Sequence, residues 1–268
     1  MLRKILILAL ACVFLVSAGS FGIKYIDYKK GEELYEEAVQ SFQTESQSSG
    51  FSVTEEEEDV NYSSLIPEIT MDFDALAEIN TDIIGWILVP GTNVNYPLLK
   101  GSDNDEYLRR AFNGVSSRMG SIFMDYRCAS DFNDRHTIIY GHNMRNSTMF
   151  SRLLRYRDQT FYENHRYFYI YTPDGYMKYE IFSAYELTLP SEVFTIGFQT
   201  KDGFGEFLSG LTSSTLIASN IFPDGGKRVV TLSTCAEGSN DPERFVVHGV
   251  LVEDTRPLGM QPSWELGE

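Results

Sequence analysis

From residue 85 onward the chain is cut into short strand-like runs, and this spacing constrains its fold more than any other feature. Candidate strands cover 85–89, 120–124, 137–140, 167–171, 177–187, 228–234 and 245–252. Turn sequences separate them, among them Pro90-Gly91, Pro173-Asp174-Gly175 and Pro223-Asp224-Gly225-Gly226, whose residues supply the tight bends that strands need. Only MDFDALAEIN (71–80), FSRLLRYRD (150–158) and 203–218 read as helices in this region. Many short strands with few helices predict a mostly β domain with helical insertions, arranged as a barrel or a sandwich. Of the 268 residues, 43% are hydrophobic and 13% aromatic, enough for one sizeable core.

The N-terminus obeys a different rule. Residues 5–23, ILILALACVFLVSAGSFGI, carry no charge over nineteen positions. As a helix this run spans roughly 28 Å, close to the hydrocarbon thickness of a bilayer. Arg3 and Lys4 precede it and Lys24, Lys29 and Lys30 follow it, so flanking charge does not set its orientation. A cleaved signal peptide ending near VSAGS is the alternative, but the apolar run is long for one. Either reading puts the remaining chain outside the cytoplasm. Residues 31–43 have helical spacing at Leu34, Ala38, Val39 and Phe42. Residues 44–64 are acidic and aperiodic, the composition of a disordered stalk. The expected organisation is an anchor over 1–30, a stalk over 31–64, a catalytic domain over 65–256 and a tail over 257–268.

A net charge of −16 argues against nucleic acid and against a general attraction to anionic lipid. Three cysteines, Cys12, Cys128 and Cys235, do not make a disulfide framework, and Cys128 reads as a small buried hydrophobe. Ser102–Glu106 and Asp131–Asp134 lack the glycine and terminal glutamate of a calcium loop. No His/Cys pair has zinc-ligand spacing. No metal or cofactor is expected.

The chemistry concentrates in TLSTCAEGSNDPERFVVHG, residues 231–249. Cys235 sits where a strand runs out into a polar loop, and an arginine follows nine residues later. A nucleophilic thiol needs thiolate character and a cationic neighbour. If the flanking strands form a hairpin, Arg244 lies near Cys235. His248 then lies four residues further on, about 13 Å away at strand rise. Proton transfer requires a reach of about 3 Å, or one water. His248 is therefore read as structural, and the base must come from His136, His142 or His165. His136, beside Asp134 and Arg135, reads as solvated, and His165 as a surface residue in a charged turn. His142 ends a short apolar strand in a Gly/Asn turn, a position suited to lining a cleft, and the residues alone favour it modestly.

IIYGHNM (138–144), LSTC (232–235) and RFVVHG (244–249), in this order and spacing, resemble the sortases, specifically class B. The resemblance extends through INTDIIGWILVPGTNVNYPLLKGSDNDEYL (79–108), GSIFMDYR (120–127), STMF (147–150) and FYIYTPDG (168–175), and covers residues 65–253 and the N-terminal anchor. It implies an eight-stranded β-barrel. It implies a cysteine transpeptidase that cleaves a sorting signal through a thioester and transfers the acyl group to an amine of peptidoglycan, its lipid-linked precursor or a pilin. In this sequence Cys235 would be the nucleophile, His142 the general acid and base, and Arg244 the stabiliser of the oxyanion and substrate. The sorting peptide would meet Asn104, Leu108, Tyr140, Ser233 and Thr234. Residues 203–218 match the extra helix of class B. One departure is Ala236, where some members are acidic, which leaves open whether Glu237, Asn240 or Asp241 orients His142. Two rival functions are a cysteine endopeptidase with water as acceptor and a non-catalytic surface-binding module. An L,D-transpeptidase is disfavoured because position 237 is Glu and not Arg.

Overall fold

A computed structural model describes residues 2–45, 69–235 and 242–265. The expected acidic stalk beyond residue 45, and Ala236, Glu237, Asn240 and Asp241, lie outside the described residues. The chain opens with one helix, α1 (Leu2–Phe42), followed by the short paired strands β1 (Gln43–Glu45) and β2 (Ile69–Met71). Next come α2 (Phe73–Ile79), β3 (Ile83–Val89), β4 (Val94–Leu99), β5 (Ile122–Met124) and β6 (His136–His142). Then follow α3 (Gln159–Asn164), β7 (Tyr167–Thr172), β8 (Gly175–Thr188), α4 (Lys201–Ser213), β9 (Val229–Cys235) and β10 (Glu243–Asp254). Residues Phe150–Arg157, expected as a helix, form a 3-10 helix.

Eight strands close into a barrel in the order β10-β8-β7-β3-β4-β5-β6-β9. Two neighbouring pairs are parallel, β4 with β5 and β6 with β9, and the remainder antiparallel. The strand not among the sequence candidates is β4, which carries Pro97, a residue with no N–H to give a ladder. Pro97 is tolerated because the β5 ladder begins only at Leu98, so that edge is unpaired at the proline.

β6 and β7 are buried along most of their length on both faces, whereas the first half of β8 alternates buried and half-buried positions. Trp86, Ile122, Ile139, Phe168, Ile170 and Leu232 belong to the main core. A second cluster lies under α4, where Phe204, Leu208 and Leu211, spaced i, i+4 and i+7, pack with Phe182, Val229 and Val246. Each such side chain contributes about 1.5–3 kcal/mol on burial. Thr200 caps α4 by accepting from the Gly203 amide.

α1 is long and apolar enough to cross a membrane, by length and composition. Its outer part exposes large apolar side chains, Phe14 by 71%. Its last turns are docked on the barrel. Tyr35 and Ala38 are buried, and Tyr35 donates to the Gly120 carbonyl at 2.6 Å and meets the Tyr96 ring edge-on at 5.2 Å. Asp27 pairs with Arg118 at 3.4 Å. At the C-terminal end, residues expected as a tail tie back to the barrel: Glu265 pairs with buried Arg228 at 2.6 Å, beside Asp254 and Arg256.

Candidate active site

The parallel ladder between β6 and β9 runs in constant register from His136 opposite Val229 to His142 opposite Cys235. The two residues therefore stand level at adjacent strand ends, where neighbouring strands lie about 4.8 Å apart. On the other side of β9, the antiparallel ladder pairs Val246 with Ser233. Continued two residues beyond that pair, the same register sets Arg244 opposite Cys235. Just inside that level, the Phe245 amide donates to Thr234 Oγ1 at 2.9 Å and so holds β10 to β9. The fold thus aligns His142, Cys235 and Arg244 across three consecutive strands.

Two glycines let His142 sit where it does. A Cβ on Gly141 would lie 2.5 Å from Ile122 Cδ1 and 2.6 Å from Phe150 Cγ. Gly120 has φ +60°, and a Cβ there would approach the Leu108 and Tyr107 carbonyl oxygens to 2.7 Å. The Leu108 carbonyl accepts from His142 Nε2 at 2.7 Å. Since a carbonyl only accepts, this bond puts an N–H on Nε2.

Of the residues expected to meet a peptide, Asn104, Leu108 and Tyr140 border this end of the barrel. Ser233 and Thr234 are buried within β9, where Thr234 bonds β10 as described. Asp125, within GSIFMDYR, had no role assigned from sequence. It is 0% exposed, and its carboxylate accepts from Tyr140 Oη at 2.9 Å, from Asn104 Nδ2 at 3.1 Å, and from the Arg127 side chain at 2.8 and 2.9 Å. Burial pushes the Asp125 carboxyl up, but the bonds from Arg127, Tyr140 and Asn104 outweigh it and hold it below the ordinary carboxylate range. An acid at the end of an apolar strand, with an arginine two residues on, was the available signal.

The other histidines lie elsewhere. His248 pairs with Thr231, four residues down β9 from Cys235, and is 0% exposed. His136, expected to be solvated, is 1% exposed, because its end of β6 is roofed by Phe198, Phe204 and Phe207. His165 is half-buried and stacked on Phe161. Cys128 is a free, buried thiol, pushed up to about 12 by desolvation, as expected of a small core residue.

A barrel of this closure, with cysteine, histidine and arginine aligned at one end, defines a class of cysteine acyl-transfer enzymes. The Sortase domain profile matches residues 87–252. Sortase B of Listeria monocytogenes is 31% identical over 252 residues, 94% of this chain and 97% of that protein. The Staphylococcus aureus sortase B–substrate complex superposes with a TM-score of 0.65 at 35% identity, covering 68% of this chain and 84% of that one. The sortase B of B. anthracis gives 0.70 at 31% identity, covering 86% and 100%. The chain belongs to the sortase family. Within it the relatives are class B, and the protein is a sortase-type cysteine transpeptidase.

Proposed function

We propose that this protein is a membrane-anchored enzyme that cleaves a C-terminal sorting signal of secreted proteins and joins the new carboxyl end to an amine of peptidoglycan or its lipid-linked precursor. The same chemistry would serve a pilin amine. The observation that supports it most is the register of β6 on β9, which makes His142 and Cys235 partners. The substrate-bound complex of the S. aureus relative supports a peptide substrate for this chain too.

In this reading His142 Nδ1 first takes the proton of the Cys235 thiol, giving a thiolate beside an imidazolium; the thiolate attacks a peptide carbonyl carbon, and Arg244 stabilises the resulting oxyanion. As the C–N bond breaks, His142 gives a proton to the departing amine and a thioester remains. An acceptor amine then attacks the thioester, His142 takes its proton, and the thiolate is released. With Nε2–H committed to Leu108, Nδ1 is the ring atom that handles this proton. Asn104, Leu108 and Tyr140 line the peptide's path, while Ser233 and Thr234 shape it through the backbone they hold. The apolar part of α1 anchors the chain, with the barrel on the outer side of the membrane. Residues 1–30, 31–64, 65–256 and 257–268 serve as anchor, stalk, catalytic domain and tail, the last turns of the stalk helix resting on the barrel.

The test is to incubate the protein with quenched sorting-signal peptides, with and without an amine nucleophile. Transfer products that grow with amine concentration support the reading. Hydrolysis alone at saturating amine refutes it in favour of an endopeptidase, and no turnover with an unlabelled Cys235 refutes catalysis altogether.

A further inference from the structure

The Asp125 carboxylate ties together three segments that are distant in sequence. Asn104 lies on the turn leading to Leu108, whose carbonyl holds His142. Tyr140 lies on β6, two residues before His142. Arg127, clamped on both carboxylate oxygens, extends its NH2 to the Phe194 carbonyl at 3.4 Å. The Phe194 ring stacks on Tyr140 at 6.1 Å and 25°. The Asn104 amide is fixed at its other end, where Oδ1 accepts from the Tyr126 amide at 3.0 Å.

None of this is needed to close the barrel. Asp125 already continues the β5–β6 ladder through its backbone, donating to the Ile138 carbonyl at 2.9 Å. Burying a carboxylate is costly, and an apolar side chain at a strand end would avoid that cost. The charge is spent on orienting side chains. It holds the Asn104 amide in one flip state and draws the Tyr140 hydroxyl proton inward. The Tyr140 oxygen can then act toward a substrate only as an acceptor.

We propose that Asp125 is a positioning residue for peptide binding. It fixes Asn104, Tyr140 and, through Arg127, the segment around Phe194 as one preformed wall beside His142. Tyr140 in this wall receives a hydrogen bond from an N–H of the bound peptide. The inference rests on the peptide-transferring reading above.

Asp125→Asn tests it in the full-length protein. The isosteric amide keeps the volume but turns one acceptor into a donor that faces Asn104, Tyr140 and Arg127. The assay uses the peptide that the unaltered protein cleaves best from a quenched library. KM should rise roughly tenfold or more, the scale of one lost hydrogen bond to a charged group, while kcat stays within about threefold. Alkylation of Cys235 by iodoacetamide, resolved by mass spectrometry, should keep its rate, because so small a reagent does not need the wall. A folded Asp125→Asn variant with KM within twofold of the original overturns the proposal. So does a loss of kcat and alkylation rate at unchanged KM. Should that variant fail to fold, Asn104→Ala, Tyr140→Phe and their double variant decide. Effects on KM that fall short of multiplying in the double variant support coupling through the carboxylate, and independent effects overturn it. Failure of the underlying reading has a different signature, peptide turnover that survives Cys235→Ala.

Discussion

The most demanding prediction concerns Thr231→Val, far down the barrel from the candidate site. Thr231 joins two buried histidines: its Oγ1 is 2.7 Å from His136 Nε2 and 2.8 Å from His248 Nδ1. His136 Nδ1 lies 2.7 Å from the Thr195 carbonyl, which can only accept. The direction of the whole chain follows. His136 donates from Nδ1 to Thr195, its Nε2 accepts from the Thr231 hydroxyl, and that oxygen accepts from His248 Nδ1–H. Both rings are neutral. Among the described residues His248 Nε2 has no partner, which suits a bare lone pair better than an N–H. Valine preserves the shape of threonine but strands one buried acceptor and one buried donor. At about 1–3 kcal/mol each, the loss is about 2–6 kcal/mol. For a domain of this size each kcal/mol lowers Tm by about 2–4 °C. Thr231→Ser, which keeps the hydroxyl, should recover most of the loss.

The same chain sets a pH dependence. Burial pushes His136 down to about 4 and His248 well below its ordinary value. The unfolded chain therefore binds protons on these rings that the folded chain refuses. Their contribution to stability is full above about pH 6.5 and is lost as pH falls, for His136 down to about pH 4. The slope is about 1.4 kcal/mol per pH unit per ring. Urea unfolding of the full chain in detergent, followed by tryptophan fluorescence at pH 7.5, 6 and 5, measures both effects. A Thr231→Val variant within 0.5 kcal/mol of the original (about a third of one ring's pH slope) would sink the argument.

Three further outcomes are expected. Cys235→Ala, His142→Ala and Arg244→Ala each lose peptide turnover by at least about 100-fold with Tm little changed, whereas His248→Ala lowers Tm; turnover surviving in His142→Ala and lost in a well-folded His248→Ala would reverse the assignment. Gly141→Ala, with its new methyl driven against Ile122 and Phe150, costs about 1–3 kcal/mol and lowers kcat/KM by displacing His142; a melting scan beside steady-state kinetics reads both. Glu265→Ala removes one of two carboxylates on buried Arg228 and costs about 1–3 kcal/mol in urea unfolding, less than a fully orphaned charge because Asp254 remains at 2.7 Å.

Much of the barrel was legible because strand runs and turns are local signals. Seven of its eight strands appear among the sequence candidates; the eighth, β4, carries Pro97, whose acceptance depends on where a neighbouring ladder begins. Exclusion of His248 as Cys235's partner needed only strand rise and a hairpin, and the register from Val246–Ser233 agrees with it. The pairing of His142 with Cys235 was not derivable in the same way. It arises from a parallel contact between strands about ninety residues apart; the residues alone favoured His142 only modestly, and the family resemblance named it. His136 was misjudged because its charged neighbours in sequence are not its neighbours in space. Asp125 went unassigned for a related reason: its meaning lies in donors from positions 104, 127 and 140, which no window of sequence brings together.

The continuity of α1 has a consequence for how such an enzyme meets its substrates. A helix of 41 residues is roughly 62 Å long. About half would lie in the bilayer under the proposed anchoring, and the rest is clasped by Ser121, Gly120, Tyr96 and Arg118. Such a helix is a mast and not a leash. The reactive end of the barrel would keep one height and one heading relative to the lipid surface, turning only as the helix turns. Encounters would then be governed by two-dimensional diffusion of partners at that height, and inserting four residues into α1 would raise the site by about 6 Å and turn its heading by about 40°.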